Sequence, residues 1–446
     1  MKQSRLNWSH WFPAVAVLPL ILWTCLWLNL NSGPWDFQLP QTADDWQLLI
    51  RANLPFAVLP FAALLLLSHR QIRLPWSSPL HLLLVYGALV AFAALFSPMP
   101  AWSAYWSVAF LATILVAASF PARKDPIGST RFFLQITWLA TFLVAAIIAY
   151  QGRGLIFGNA PSAYGIDTEL GGLSRSSGVA RWAAVPGLVC IIRAFYSRRI
   201  APIAFYLGGA AAAFFIVYRM QSRGAVFGAA AALLFILLIS SRMRRYALPF
   251  AVVAVVGLVI IETPQVASNR VSVYIMRGQS PEEFRSMTGR TEVYKQGLEA
   301  FTDAPFFGRG QWADRMILGT HSHNSFLQAM LNGGAIGAVP YVGSWIMGWL
   351  LFFKLQKRRA RLVAQDRLSV LECGTVMMFF TVRAIPETTT ASFAVDLLVM
   401  VAVYVYLETL WNRVNASRRW LLVQLPQRLF LHPATALAVS SKEESL

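Results

Sequence analysis

Charge is scarce in this chain, and acidic charge is scarcer still. Asp, Glu, Lys and Arg together make up 13% of the residues, about half of what a soluble globular domain carries. Twenty residues are acidic against 38 basic. Cysteine is nearly absent. Cys25, Cys190 and Cys373 fall in separate apolar runs, which argues against a disulfide framework or a thiolate metal site and reads as small buried hydrophobes. No Walker A loop and no Rossmann glycine fingerprint occurs, so soluble-nucleotide chemistry has no support. Nor is there an internal repeat, a low-complexity tract or a heptad seam.

What the chain has instead is apolar length. Of its 446 residues 57% are hydrophobic, enough for a dozen spans of about 20 residues each plus one modest polar region. Lys2 and Arg5 precede the apolar run from Trp11 to Leu30, which reads as an uncleaved first span because no small-residue cleavage site follows it. Further apolar runs fall near 52–68, 79–97, 104–120, 132–150, 182–196, 201–218, 224–240, 246–262, 334–353, 368–385 and 393–411. Alternate connections between them are basic, and twelve spans with both termini cytoplasmic satisfy that alternation. On this topology 24 of the 38 Lys and Arg but only 7 of the 20 acidic residues are cytoplasmic or within the membrane. The basic balance is therefore a positive-inside signature that draws anionic membrane lipids, with no nucleic-acid partner implied.

The expected fold is an all-α integral membrane protein of about 12 transmembrane helices. Residues 1–262 hold spans one to nine, 263–333 a long, partly helical outer loop, 334–411 spans ten to twelve, and 412–446 a basic cytoplasmic tail. Within the loop, Ser280-Pro281-Glu282-Glu283 has capping-box spacing. A second helix is predicted from Thr288 to about Thr302, ended by Asp303-Ala304-Pro305, with Gly308 and Gly310 turning the chain. A third runs from Asn324 to Asn332 and stops at Gly333-Gly334.

Candidate chemistry gathers on the outer side. Of six histidines, His10, His69, His81 and His432 fall on the cytoplasmic side, leaving His321 and His323 beside the long loop. His323 is placed in the first turn of the third helix, where the positive helix end favours the neutral imidazole that a general base needs. The bland alternative is a histidine bonded to the backbone. Arg223 opens the eighth span next to Gly224, either as a snorkelling anchor or as a ligand contact where glycine permits close approach. Arg290 opens a loop helix, where a cation is favoured only with an anion nearby, so it is either a phosphate contact or an exposed loop residue. His321 and His323, with Asp314 close in sequence, make a weak metal case, lacking a defined third and fourth ligand. No spacing singles out a pair of acidic residues as glycosidase-like carboxylates.

These residues carry a resemblance. Ser222-Arg223-Gly224, Thr288-Gly289-Arg290 leading to Ala304-Pro305-Phe306-Phe307-Gly308-Arg309-Gly310, and His323-Asn324 with nine residues before Gly334 and Gly337 are similar to motifs of the O-antigen ligase and polymerase superfamily of bacterial envelope glycosyltransferases. Gly172–Trp182, which holds Arg175 and Arg181, departs from the proline–asparagine pattern of many members. The resemblance implies a GT-C-like fold in the bacterial inner membrane and a metal-independent, cofactor-free transfer at the periplasmic face. The implied donor is a glycan on undecaprenyl diphosphate and the implied acceptor is lipid A–core. His323 would take the acceptor proton, and Arg223 and Arg290 would hold the diphosphate. His321, Asn324, Arg309 and Arg175 are further candidates. Glu387 is either a fourth player or an ion-pair partner for Arg383. A polymerase of the same superfamily is the nearest alternative. A transporter is the more distant one, disfavoured because span centres read as almost free of charge, with Glu372 and Asp396 placed nearer span ends.

Overall fold

The computed structural model describes residues 12–30, 46–68, 78–123, 125–154, 176–220, 222–245 and 290–429. Among them the chain is all-helical. The elements are α1 (Phe12–Asn29), α2 (Trp46–Ser68), α3 (Pro79–Ala93), α4 (Pro100–Ser119), α5 (Pro126–Gln151), α6 (Ser176–Tyr196), α7 (Ile200–Arg219), α8 (Arg223–Ile239), α9 (Arg290–Thr302), α10 (Ala313–Leu318), α11 (Ser325–Lys357), α12 (Ala364–Arg383) and α13 (Val395–Leu429). Eight of these helical segments are long and apolar enough to cross a membrane, and two shorter ones, within α1 and at α8, are apolar as well. The protein is a multi-pass membrane protein. The expected span at 246–262 and the helix start at Ser280 lie outside the described residues.

Starts and stops follow local chemistry. Proline occupies the first turn of α3, α4 and α5, where the missing N–H costs nothing. Ser78 caps α3 and Asp125 caps α5 through side-chain oxygens that accept a backbone N–H. α13 is the central helix. Every residue from Leu397 to Tyr406 is buried, as befits a helix apolar on all sides and surrounded by protein. The same helix continues through Leu429, so the first part of the expected tail extends it. Around it, α3 packs on α11 and α8 on α12. The second pairing brings the start of α8 to the end of α12.

One expectation is corrected. Glu372 lies midway along α12, fully buried, and pairs with Arg193 of α6 at 2.7 Å while accepting from Trp138 Nε1 at 3.1 Å. A helix of low overall charge still carries one mid-helix carboxylate, because its partner arrives from another helix. Asp396 does sit near the start of α13, as expected.

The break foreseen at Gly333-Gly334 is present inside α11. Gly334 has φ 62° and ψ −166°, and helical backbone resumes after it. The four backbone groups nearest the break are taken up by the strap 305–310. Arg309 N–H donates to Leu331 O (3.0 Å) and Gly310 N–H to Asn332 O (2.8 Å). In return, Ala335 N–H donates to Pro305 O (2.7 Å) and Ile336 N–H to Phe306 O (3.2 Å). The two chains lie so close that a Cβ on Gly334 would fall 2.2 Å from the Phe306 carbonyl, and one on Gly308 would fall 2.5 Å from Gly334 N. Asn332, fully buried beside the break, accepts from Ala313 N–H (3.2 Å) and donates towards Tyr86 Oη and Ala391 O (both 3.3 Å). It thereby ties α10, α3 and the segment before α13 together.

Gly334→Ala is expected to lower stability by about 3 kcal/mol or more, from left-handed backbone strain and overpacking combined. Thermal melting in detergent checks this, and a melting temperature equal to wild type would contradict the tight crossing.

Candidate functional site

The site is assembled at one junction by the end of α12, the start of α11, α9 and the start of α8. Asn324 is the N-cap of α11. Its side-chain oxygen accepts from Phe326 and Leu327 N–H, both at 2.9 Å, and its amide donates to Ile385 O at 3.0 Å. Because Asn324 is the cap, His323 lies one residue before the cap and not in the first turn of the helix. The difference has a physical cause: a residue whose side chain accepts the first free helical N–H groups must itself be non-helical. The turn is completed by His323 at φ 49°, a left-handed conformation in which histidine is enriched among non-glycine residues.

Five further contacts fix this corner. Ser325 N–H donates to Ala384 O at 2.9 Å. Its hydroxyl donates to Glu387 O (3.0 Å) and accepts from Thr389 N–H (2.6 Å). The Tyr294 hydroxyl of α9 lies 3.1 Å from the His323 carbonyl oxygen and 3.4 Å from that of Ile385.

Glu387 is the centre of the charged groups. Its Oε1 takes Arg290 Nη2 at 3.0 Å and its Oε2 lies 3.8 Å from His323 Nδ1. Arg290 also donates through Nη1 to Pro386 O at 2.7 Å. The side chains are accessible at the surface of the site: His323 and Arg290 are each 26% exposed and Glu387 18%. Burial pushes the Glu387 carboxyl up, but the His323 imidazole and the Arg383 and Arg290 cations outweigh it and hold it at about 2, below its ordinary 4.5. At neutral pH Glu387 is therefore a carboxylate. Of the two readings of Glu387, its nearest ion pair is with Arg290, with Arg383 a more distant electrostatic neighbour. Arg223 stands at the mouth of α8. A Cβ on its neighbour Gly224 would lie 3.5 Å from Glu387 Cγ and 3.9 Å from Arg383 Nε.

The remaining candidates divide. His321 contacts Arg315 Nη2 through Nε2 at 2.6 Å and lies 3.7 Å from the fully buried Asp314 through Nδ1. Accepting from Arg315 puts the imidazole proton on Nδ1, towards the carboxylate. Asp314 also accepts the N–H groups of Arg315 and Ser322, both at 3.0 Å. Burial pushes Asp314 up, but His321, Ser322 N–H and Arg315 bring it below its ordinary value. His321 is thus part of the loop's own framework, 6.0 Å from the His323 ring. Arg309 serves the strap through its backbone. Arg175 lies outside the described residues. Among those residues no three His, Cys, Asp or Glu side chains gather as metal ligands. Arg181 pairs with buried Asp396 at 2.8 Å. Tyr294 and Ser325 had no distinguishing signal in the sequence, since a tyrosine in a loop helix and a serine after an asparagine are common. Arg383 did carry one, a cation at the end of an apolar run.

An imidazole, a carboxylate and an arginine thus meet at the surface of one junction in a multi-pass membrane protein. Residues 208–342 match the family model described as O-antigen ligase, the family that the motifs resemble. The matched stretch includes Arg223, Arg290 and His323 and ends before Arg383 and Glu387. Among curated proteins no significant match was found.

Glu387 also sets a pH dependence. A carboxyl with a folded pKa below its unfolded one contributes stability that is present above about pH 4.5 and is lost as pH falls through 4.5 towards 2. The melting temperature of wild type is expected to fall more steeply over that window than that of Glu387→Gln, and parallel curves would remove the assigned ion pairs. Asn324 separates two roles. Asn324→Asp retains the acceptor that caps α11 but loses the donor to Ile385, whereas Asn324→Ala loses both and should cost about 1 kcal/mol more. Comparative melting of the two variants reads the difference.

Proposed function

We propose that this protein transfers O-antigen polysaccharide from undecaprenyl diphosphate to a sugar hydroxyl of lipid A–core, at the periplasmic face of the bacterial inner membrane. The observation that carries the reading is the His323–Glu387–Arg290 arrangement beside the start of α8. Its chemistry follows from the geometry. With Nδ1 of His323 turned to the Glu387 carboxylate, Nε2 is the nitrogen for the acceptor. The acceptor O–H proton passes to Nε2 as its oxygen bonds to the anomeric carbon of the donor. The bond from that carbon to the phosphate oxygen breaks, and the electron pair leaves on undecaprenyl diphosphate. In-line attack inverts the anomeric configuration.

Two charges develop in this step, and each has a counter-charge in place. The imidazolium forms beside the ionised Glu387, which stabilises it without taking its proton, and Arg290 and Arg223 are assigned in this reading to the negative charge that the leaving diphosphate gains. Interactions that strengthen as charge develops lower the barrier, while equal binding of ground and transition states does not. Proton removal by His323 is worth about 10²–10⁴-fold in rate. Neither metal nor cofactor has a role in this scheme. The twelve-span topology with both termini cytoplasmic is part of the same proposal, since it puts this junction on the outer side.

The test is reconstitution in detergent with undecaprenyl-diphosphate glycan, lipid A–core and EDTA. Lipid A–core should shift in mobility with wild type, and His323→Ala should be slower by about 10²–10⁴-fold while still binding donor. Lengthening of the lipid-linked glycan with lipid A–core unmodified would replace the ligase reading with a polymerase of the same superfamily. Failure with EDTA and recovery on adding a divalent cation would overturn the metal-independent chemistry.

A further inference from the structure

Arg383 is a fully buried charged side chain near the site that the scheme above does not use. It is 1% exposed. Among the described residues, neither its Nε nor its Nη1 has a hydrogen-bond partner. A guanidinium held out of water with unpaired donors is costly, and such a group in a folded protein calls for an explanation. Its charge is balanced at longer range: the acidic groups facing it are Asp396 and Glu387, and the basic ones are Arg181 and Arg290. Balanced charge does not satisfy directional N–H donors.

A second feature meets it at the same point. α8 is a 17-residue helix whose N-cap, Ser222, makes no side-chain capping bond. The first N–H groups of any helix lack intrahelical partners and carry the positive end of its dipole. Gly224, in that first turn, brings the bare backbone against both side chains of the junction: a Cβ there would sit 3.5 Å from Glu387 Cγ and 3.9 Å from Arg383 Nε. Helix end and buried guanidinium therefore converge, and both favour an anion; the Glu387 carboxylate beside them is held by Arg290 at 3.0 Å, so it does not satisfy the Arg383 Nε and Nη1 donors.

We infer that Arg383 and the N-terminus of α8 form an anion subsite that binds one phosphate of the donor's diphosphate. Arg290, 26% exposed, stands on the open side of the same junction and Arg223 opens α8, so in this reading the two phosphates are divided between an inner and an outer set of donors. The inner set is built from groups that cannot move far: a backbone turn and a side chain wedged by Phe379 and Gly228, where an added Cβ would come within 3.0 Å of both neighbours. It orients the diphosphate while the outer arginines respond to the charge that develops. This inference rests on the diphosphate reading above.

The experiment measures the affinity of undecaprenyl diphosphate, without glycan, for the full chain in detergent micelles, with excess inorganic pyrophosphate as competitor. Arg383→Gln should bind about tenfold or more weakly, as expected for loss of charge-assisted bonds. Gly224→Ala places a methyl group in the proposed phosphate position at ordinary contact distances, so it should fold normally and show a similar loss. This second variant carries the test if Arg383→Gln does not fold. Pyrophosphate should compete against wild type, showing that the headgroup and not the isoprenoid chain is recognised. Wild-type affinity in the folded variants would overturn the subsite and leave the function reading standing. No binding of undecaprenyl diphosphate to wild type would overturn both.

Discussion

The backbone crossing at Gly334 is the constraint on which the rest of the junction depends. In a membrane, a helix cannot simply break, because each freed N–H and C=O needs a partner that lipid does not supply. Here the partners come from the Pro305–Gly310 strap, which exchanges four hydrogen bonds with the break. The exchange works only if the two chains approach to backbone contact, which is why Gly334 and Gly308 face one another without side chains. With the strap fixed, α10 and the Asp314–His321–Arg315 group have a defined position, and His323 enters α11 from a set direction. Asn332 then extends the same rigidity to α3 and to the segment before α13.

Electrostatics is the second organising element. A chain with so little charge concentrates it, and the charges alternate in sign across the junction: Arg181 with Asp396, then Arg383, then Glu387 with Arg290 and His323. Alternation is what makes burial tolerable, since an isolated ion in such a place would be strongly destabilising. The Arg193–Glu372 pair follows the same rule in another part of the bundle. The first set differs in reaching the surface through His323, Arg290 and Glu387, and it leaves buried guanidinium donors unpaired. The second set pairs its carboxylate with Arg193 and Trp138. That contrast separates an accessible junction from an internal clamp.

The O-antigen ligase match and the cluster also overlap only in part. Arg223, Arg290 and His323 fall within the matched residues, while Glu387, Arg383 and Asp396 come from further along the chain. The two groups meet because α8 packs on α12 and because Ser325 and Asn324 are bonded to residues 384–389. The carboxylate that faces His323 is thus delivered by a loop whose own shape is set by the helix His323 precedes.

How much of this could be read beforehand depended on the range of the interaction. Apolar length, the basic alternation and the glycine pair at 333–334 are local properties of the chain, and the helices and the break in α11 follow from them. The approach of His323 to the start of that helix was legible for the same reason, although its place relative to the cap was not, since Asn324 and His323 compete for one position and hydrogen-bond geometry decides between them. Glu387 was visible only as an acid near an arginine. Its pairing with Arg290, 97 residues away, and the unpaired state of Arg383 leave no periodic or compositional trace, because they arise from which helices pack together. The sequence by itself determined which segments are apolar helices and where they must start, stop or break, since these are governed by neighbours within a few residues. Only the tertiary structure decided which charges meet and which are left without partners, since burial and distance between remote segments are properties of the packed bundle.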